Sequence, residues 1–210
     1  MLITITDCET TKDNMVADFG AVTADLSTGE SEILDEIGCL IYGQFDRKDL
    51  FFNRNADSDD FWSKQNARAR RKDYERRIEA GQRSIAAPAL INVWLAKNLA
   101  RYPELAITAY NSSFDFPKFD KTGINISGFR RRFCLFRDKA KPFLETYAPF
   151  QDWARDTGAL TARGNVSYTA DNVARFILGD SLDPEPHTAL EDARDYELPI
   201  AQWLFNMGAL

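Results

Sequence analysis

Residues 2–9 constrain the fold more than any other stretch. Ile3, Ile5, Asp7 and Glu9 alternate with Leu2, Thr4, Thr6 and Cys8, the period of a strand whose successive side chains point to opposite faces. Asp7 and Glu9 therefore share one face at the strand's end, where both can reach one cation. Two further segments match this acidic pair: Asn111-Ser112-Ser113-Phe114-Asp115 in mid-chain, and His187-Thr188-Ala189-Leu190-Glu191-Asp192 near the C-terminus. Four carboxylates and the chain's only histidine thus fall in three separated segments, each at the edge of an expected element. That is the pattern of a metal site assembled by folding.

The remaining elements follow from periodicity and punctuation. Residues 19–26 and 32–42 read as strands joined by a Ser27-Thr28-Gly29 turn, giving an antiparallel meander with the first strand. Residues 43–60 are polar and turn-like. Helical character runs from about Asp59 to Ala80 and stops at Gly81. A further helix, capped by Ser84, is expected to reach Tyr102 before Pro103. Residues 105–110 form a short strand, and Ser112 or Ser113 caps the helix after it. Pro117 is assigned to that helix's first turn and Gly123 closes it. A strand near 132–136, helical pieces divided by Pro142 and Pro149, and a helix over 168–178 follow. The last helix starts after Pro186 and reaches about Asn206, bent at Pro199. The expected architecture is α/β in one domain, 1–210.

With 44% apolar and 28% charged residues, the composition is that of a globular protein. No apolar run approaches the roughly 20 residues of a membrane helix, and no basic leader precedes the first strand. Three widely spaced cysteines, Cys8, Cys39 and Cys134, suggest reduced thiols in a cytoplasmic compartment. On the strand Cys8 faces away from the acidic pair, as a core residue. The net charge of -6 disfavours coating of long duplexes. Two basic stretches stand against it: Arg68, Arg70, Arg71, Lys72, Arg76 and Arg77, then Arg130, Arg131, Arg132, Arg137, Lys139 and Lys141. Small patches of this kind can hold a short strand of nucleic acid, and the first stretch is alternatively a solvated, charge-laced helix face.

Carboxylate ligands select Mg²⁺ or Mn²⁺ over softer metals. Two such ions about 3.5–4 Å apart activate a water and stabilise both the attacking and the leaving oxygen in phosphodiester cleavage. A histidine beside them can accept the water's proton. His187 and Asp192 are five residues apart, about 140° off a shared face on a continuous helix. Both reach one site only if His187 precedes the helix, and Pro184 and Pro186 keep that approach extended.

Asp7-Cys8-Glu9-Thr10, Asn111-Ser112-Ser113-Phe114-Asp115 and His187-Thr188-Ala189-Leu190-Glu191-Asp192-Ala193 together resemble the DnaQ-like exonucleases with a DEDDh site. The resemblance implies a ribonuclease H-like fold: a five-stranded mixed sheet, first three strands antiparallel, flanked by helices. It also implies 3′→5′ exonuclease chemistry on single-stranded DNA or RNA ends with two divalent ions. By position, Asp7, Glu9 and Asp192 would ligate the ions, Asp115 would act through water, and His187 would be the general base. Phe61-Trp62-Ser63-Lys64-Gln65 and Phe136-Arg137-Asp138 look similar to a subgroup with a phage exodeoxyribonuclease and a mycobacterial exoribonuclease. Lys139-Ala140-Lys141 departs from that subgroup.

Trp62 and Gln65, one helical turn apart, either touch substrate, the indole stacking on a base, or close the core's edge. Phe114 is either a wedge at the terminal base or a core aromatic. Thr10 and Asn111 complete the candidate contacts. Asp18 reads as a solvent-facing strand start. Glu191, Asp195 and Glu197 read as exposed residues off the metal-facing side of the last helix. Trp203, Leu204, Phe205 and Met207 supply either core or the apolar surface of a homodimer. A silent nucleic-acid-binding or polymerase-associated module and a hydrolase of nucleotides or very short oligonucleotides are the competing readings.

Overall fold

The computed structural model describes residues 1–47 and 61–210, with side chains from residue 67 onward in the first helix. The strands are β1 (Leu2–Thr10), β2 (Val16–Asp25), β3 (Glu32–Ile41), β4 (Ser84–Ala86), β5 (Ala106–Ala109) and β6 (Arg131–Cys134). They form one mixed sheet of order β4-β3-β2-β1-β5-β6. The first three strands are antiparallel neighbours, while β4 runs parallel to β3, β5 to β1 and β6 to β5.

The sheet has six strands rather than five, because Ser84-Ile85-Ala86 pairs with Cys39–Ile41 instead of opening a helix. Helix α2 (Pro88–Arg101) starts four residues later, with proline in its first turn where a missing N–H costs nothing. The other helices are α1 (Phe61–Glu79), α3 (Ser112–Thr122), α4 (Lys141–Thr146), α5 (Ala148–Thr157), α6 (Ala170–Leu178), α7 (Ala189–Glu191) and α8 (Leu198–Asn206). Pro117 lies in the interior of α3 and not in its first turn.

Both sheet faces are covered, and the alternation of β1 decides which residue meets which layer. Ile3 and Ile5 pack with Val22 and Ala24 of β2 against Val173, Ala174, Ala193 and Leu204 of the C-terminal helical layer. Cys8 packs with Phe19 and Ala21 against Ile91, Leu95 and Phe119 of α2 and α3. All three cysteines are free and buried.

Two π-helical segments, Leu135–Ala140 and Asp192–Glu197, each stand immediately before a helix with proline in its first turn, Pro142 and Pro199. Their closing bonds run from Lys141 N–H to Phe136 O and from Leu198 N–H to Ala193 O. Proline cannot donate in the α register and crowds the carbonyl four residues back, so the wider i→i+5 turn accommodates it. The helical register thus changes immediately before Pro199, the position where a bend is expected.

Trp203 is locked among Phe143, Tyr147 and Phe176, and Leu204 is fully buried. Of the four residues weighed as a dimer surface, Met207 is the one substantially exposed. Among the described residues no helix is long and apolar enough to cross a membrane.

Candidate metal centre

β1 and β5 run parallel, so the C-terminal ends of both open on the same edge of the sheet, the usual rim for ligands in such sheets. Asp7 and Glu9 stand at the end of β1, where the register with β2 shifts between Glu9 and Thr10. Asp115 lies in the first turn of α3, just beyond β5. His187 precedes α7, and Asp192 follows that helix's last residue. A cleft of about 1220 Å³ is lined by all five, together with Asn111, Phe114, Glu185 and Glu197. Ligand atoms of Glu9, His187 and Asp192 lie within 4.8 Å of one another.

The seat of α7 explains how distant segments converge. Gly20 of β2 pairs with Asp7, and a Cβ there would stand 2.1 Å from the Ala189 carbonyl carbon, so the α7 backbone rests on bare glycine. Beside it, Asp18 accepts the Ala189 N–H at 2.9 Å and the Tyr74 hydroxyl at 2.7 Å. Asp18 is fully buried, which corrects its reading as a solvent-facing residue. It caps the N-terminus of α7, where a carboxylate satisfies an otherwise orphaned donor. Glu191 is likewise not free in solvent: Arg77 Nη1 pairs with it at 2.9 Å and Arg83 Nη2 donates to its other oxygen. Asp195 is exposed, as expected.

Glu197 was expected to be exposed and is only 4% so. The α register would turn it away from Asp192, five residues earlier. The π register brings i and i+5 nearly into line, and Glu197 enters the cleft, its Oε2 accepting the Tyr110 N–H at 3.2 Å. Pro199, two residues beyond, was the available sequence signal. Glu185, between two prolines, also lines the cleft, and no periodicity could have shown it.

Seven carboxylates line the cleft: Asp7, Glu9, Asp115, Glu145, Glu185, Asp192 and Glu197. Burial, then Glu197 and the other acids, pushes the Asp7 carboxyl well above the usual range. Burial, then Asp115, does the same to Glu197. Asp192 is pushed up to about 8 by burial and then Glu185. Asp115 rises to about 7 through burial, although the Cys8 thiol donates to its Oδ1 at 3.2 Å. Glu185 rises to about 7 through burial and Asp171, and Glu9 rises through burial against the opposing pull of Arg70. Ionising Asp7, Glu9, Asp115, Glu185, Asp192 and Glu197 together is disfavoured unless positive charge is added. Asp192 Oδ1 is moreover buried without a hydrogen-bond partner. The carboxylate oxygens of Asp7, Glu9 and Asp192 suit a hard divalent cation, so the residues present fit such an ion, with the His187 imidazole beside it.

The candidate substrate contacts fall out unevenly. Phe114 is 43% exposed at the cleft wall, not in the core, with Lys118 Nζ against its ring and donating to its carbonyl. Asn111, exposed, takes the cap position of α3 expected for a serine, and its Oδ1 accepts the Ser113 hydroxyl at 2.8 Å. Thr10 is half-buried at the register shift. Trp62 and Gln65 lie on α1, but their side chains fall outside the described residues. The first basic stretch turns partly inward: Arg70 pairs with Glu9 at 2.8 Å and Arg77 with Glu191. Of the second, Lys141 lines the cleft, while Arg130, Arg131, Arg132 and Lys139 line a separate pocket of about 320 Å³.

No family model matches the chain, and no curated protein matches it.

Proposed function

We propose that the chain is a divalent-cation-dependent 3′→5′ exonuclease, releasing mononucleotides from single-stranded DNA or RNA ends in the cytoplasm. One observation carries this reading. Asp7, Glu9, Asp115, Asp192 and His187, scattered over 186 residues of chain, line one cleft at the C-terminal ends of two parallel strands. With β4 set aside as an added edge, five strands remain in a mixed sheet whose first three are antiparallel, which supports the ribonuclease H-like reading that the DEDDh resemblance implies.

Asp7, Glu9 and Asp192 hold Mg²⁺ or Mn²⁺, with Asp115 beside them. A pair of such ions supplies charge stabilisation for the attacking and leaving oxygens of a phosphodiester. His187, exposed at the mouth of the cleft, takes the proton of the attacking water. Phe114 offers a ring on which the terminal base stacks. Lys141 and Arg155 at the cleft wall neutralise phosphates. A silent binding module has no chemical reason to keep an unpartnered buried Asp192 oxygen among ionisable neighbours.

The test is purified protein with Mg²⁺ or Mn²⁺ on matched single strands of DNA and RNA labelled at either end. A 5′-labelled strand shortens in one-nucleotide steps, and a 3′-labelled strand releases its label at once. Internal fragments from a circular single strand refute the polarity, and full activity in excess EDTA refutes the role of the ions.

A further inference from the structure

Arg70 stands on α1, outside the three acidic segments. Its Nη2 lies 2.8 Å from Glu9 Oε1 and also donates to the carbonyl oxygen of His187. His187 has φ 54°, a left-handed backbone that side chains other than glycine's enter rarely and that surrounding contacts must hold. The same stripe of α1 continues with Tyr74, which donates to Asp18, the cap of Ala189, and with Arg77, which pairs with Glu191. Positions 70, 74 and 77 recur at helical spacing. One face of α1 thus holds the segment 187–191 directly at His187 and Glu191 and, through Asp18, at Ala189, and Arg70 is the member of that face that touches the metal-ligand set.

We propose that Arg70 is a positioning residue of the metal centre: it holds the His187 backbone beside Glu9, and it is the resident counter-cation with which a divalent ion competes for Glu9. The inference rests on the metal-site reading above. A guanidinium on Glu9 repels an arriving divalent cation and so lowers its affinity. The same contact keeps the imidazole and the carboxylate in one geometry, which matters for rate because small displacements of a reacting group are costly. Affinity and turnover therefore respond to Arg70 in opposite directions. A residue that only stabilised the fold would lower both together. A contact to substrate phosphate would raise KM and leave metal binding alone.

The experiment titrates Mn²⁺ alone into the metal-free full chain by calorimetry for wild type, Arg70→Ala and Arg70→Lys. It adds kcat and KM on a single-stranded oligonucleotide, with thermal unfolding as the folding check. Arg70→Ala is expected to bind Mn²⁺ about tenfold more tightly, while kcat falls at least about tenfold and KM stays within about twofold. Arg70→Lys retains the charge, so it keeps near wild-type Mn²⁺ affinity with a reduced kcat, and it carries the test if the alanine variant unfolds. Mn²⁺ affinity falling in step with kcat in either variant, or an unchanged kcat, overturns the inference while leaving the metal site standing. A wild-type chain that binds no Mn²⁺ overturns the metal reading and this inference with it.

Discussion

Gly20 and Ala189 meet backbone to backbone: a Cβ on the glycine would lie 2.1 Å from the Ala189 carbonyl carbon and 2.2 Å from the Leu190 nitrogen. That contact seats α7 on β2 and so sets the height of His187 and Asp192 above the end of β1. Gly20→Ala is expected to destabilise the protein by about 1–3 kcal/mol, the usual range for overpacking a filled interior. It should also lose activity beyond what instability explains. Thermal unfolding and turnover measured on the folded fraction check this. A variant with wild-type stability would mean that α7 sits less tightly on the strand.

The crowded carboxylates give the metal-free protein a signed pH dependence. Asp115, Glu185 and Asp192 have folded values of about 7, 7 and 8, above the roughly 4 of an unfolded carboxyl group. The folded state therefore holds more protons than the unfolded state across that interval, and stability falls as pH rises from about 4 to 8. Melting temperature in EDTA should drop over this window. Saturating Mn²⁺ should flatten the drop, because the ions bind the ionised form. Asp192→Asn should reduce the slope without metal, and an unchanged slope would remove Asp192 from the cluster.

Much of this centre was legible in the sequence, and the exceptions share a cause. Asp7 and Glu9 followed from a period of two, and Asp115 from a strand running into a capped helix. Both signals are local. His187 could be placed ahead of its helix from its five-residue spacing to Asp192, with Pro184 and Pro186 in support. Glu197 was misread because its position depends on a π turn, which no α-periodic reading anticipates. Asp18 was misread because Tyr74 and the α7 backbone, which bury it, arrive from far along the chain. Strand β4 exists only through its pairing with β3, and three residues carry too little pattern to announce themselves.

Glu197→Gln tests the newly found carboxylate. It removes one charge beside Asp7 while keeping an acceptor for the Tyr110 N–H. Divalent affinity is expected to fall roughly tenfold, equivalent to about 1.4 kcal/mol, and the metal-free protein should melt higher. Calorimetric Mn²⁺ titration and unfolding curves read both. Tighter Mn²⁺ binding would contradict the placement.

His187→Asn isolates the proton-transfer role. Asparagine tolerates the left-handed backbone of this position, and the α7 cap belongs to Asp18, so the fold should persist. The expected loss is 10²–10⁴-fold in kcat, the usual worth of general-base assistance, with Mn²⁺ affinity reduced far less than in Asp7→Ala. Near-normal turnover at pH 7 would assign His187 to structure alone.

We propose that this cleft hydrolyses nucleic acid from the 3′ end with divalent ions held by Asp7, Glu9 and Asp192. The most direct measurement follows a 5′-labelled single strand, offered as DNA and as RNA, in Mn²⁺ with wild type and Asp192→Asn purified in parallel and matched for folding. The expected result is a descending one-nucleotide ladder with wild type, abolished by EDTA, restored by Mn²⁺ and absent with Asp192→Asn. An uncut strand with wild type, or the same ladder at the same rate with Asp192→Asn, would contradict the claim.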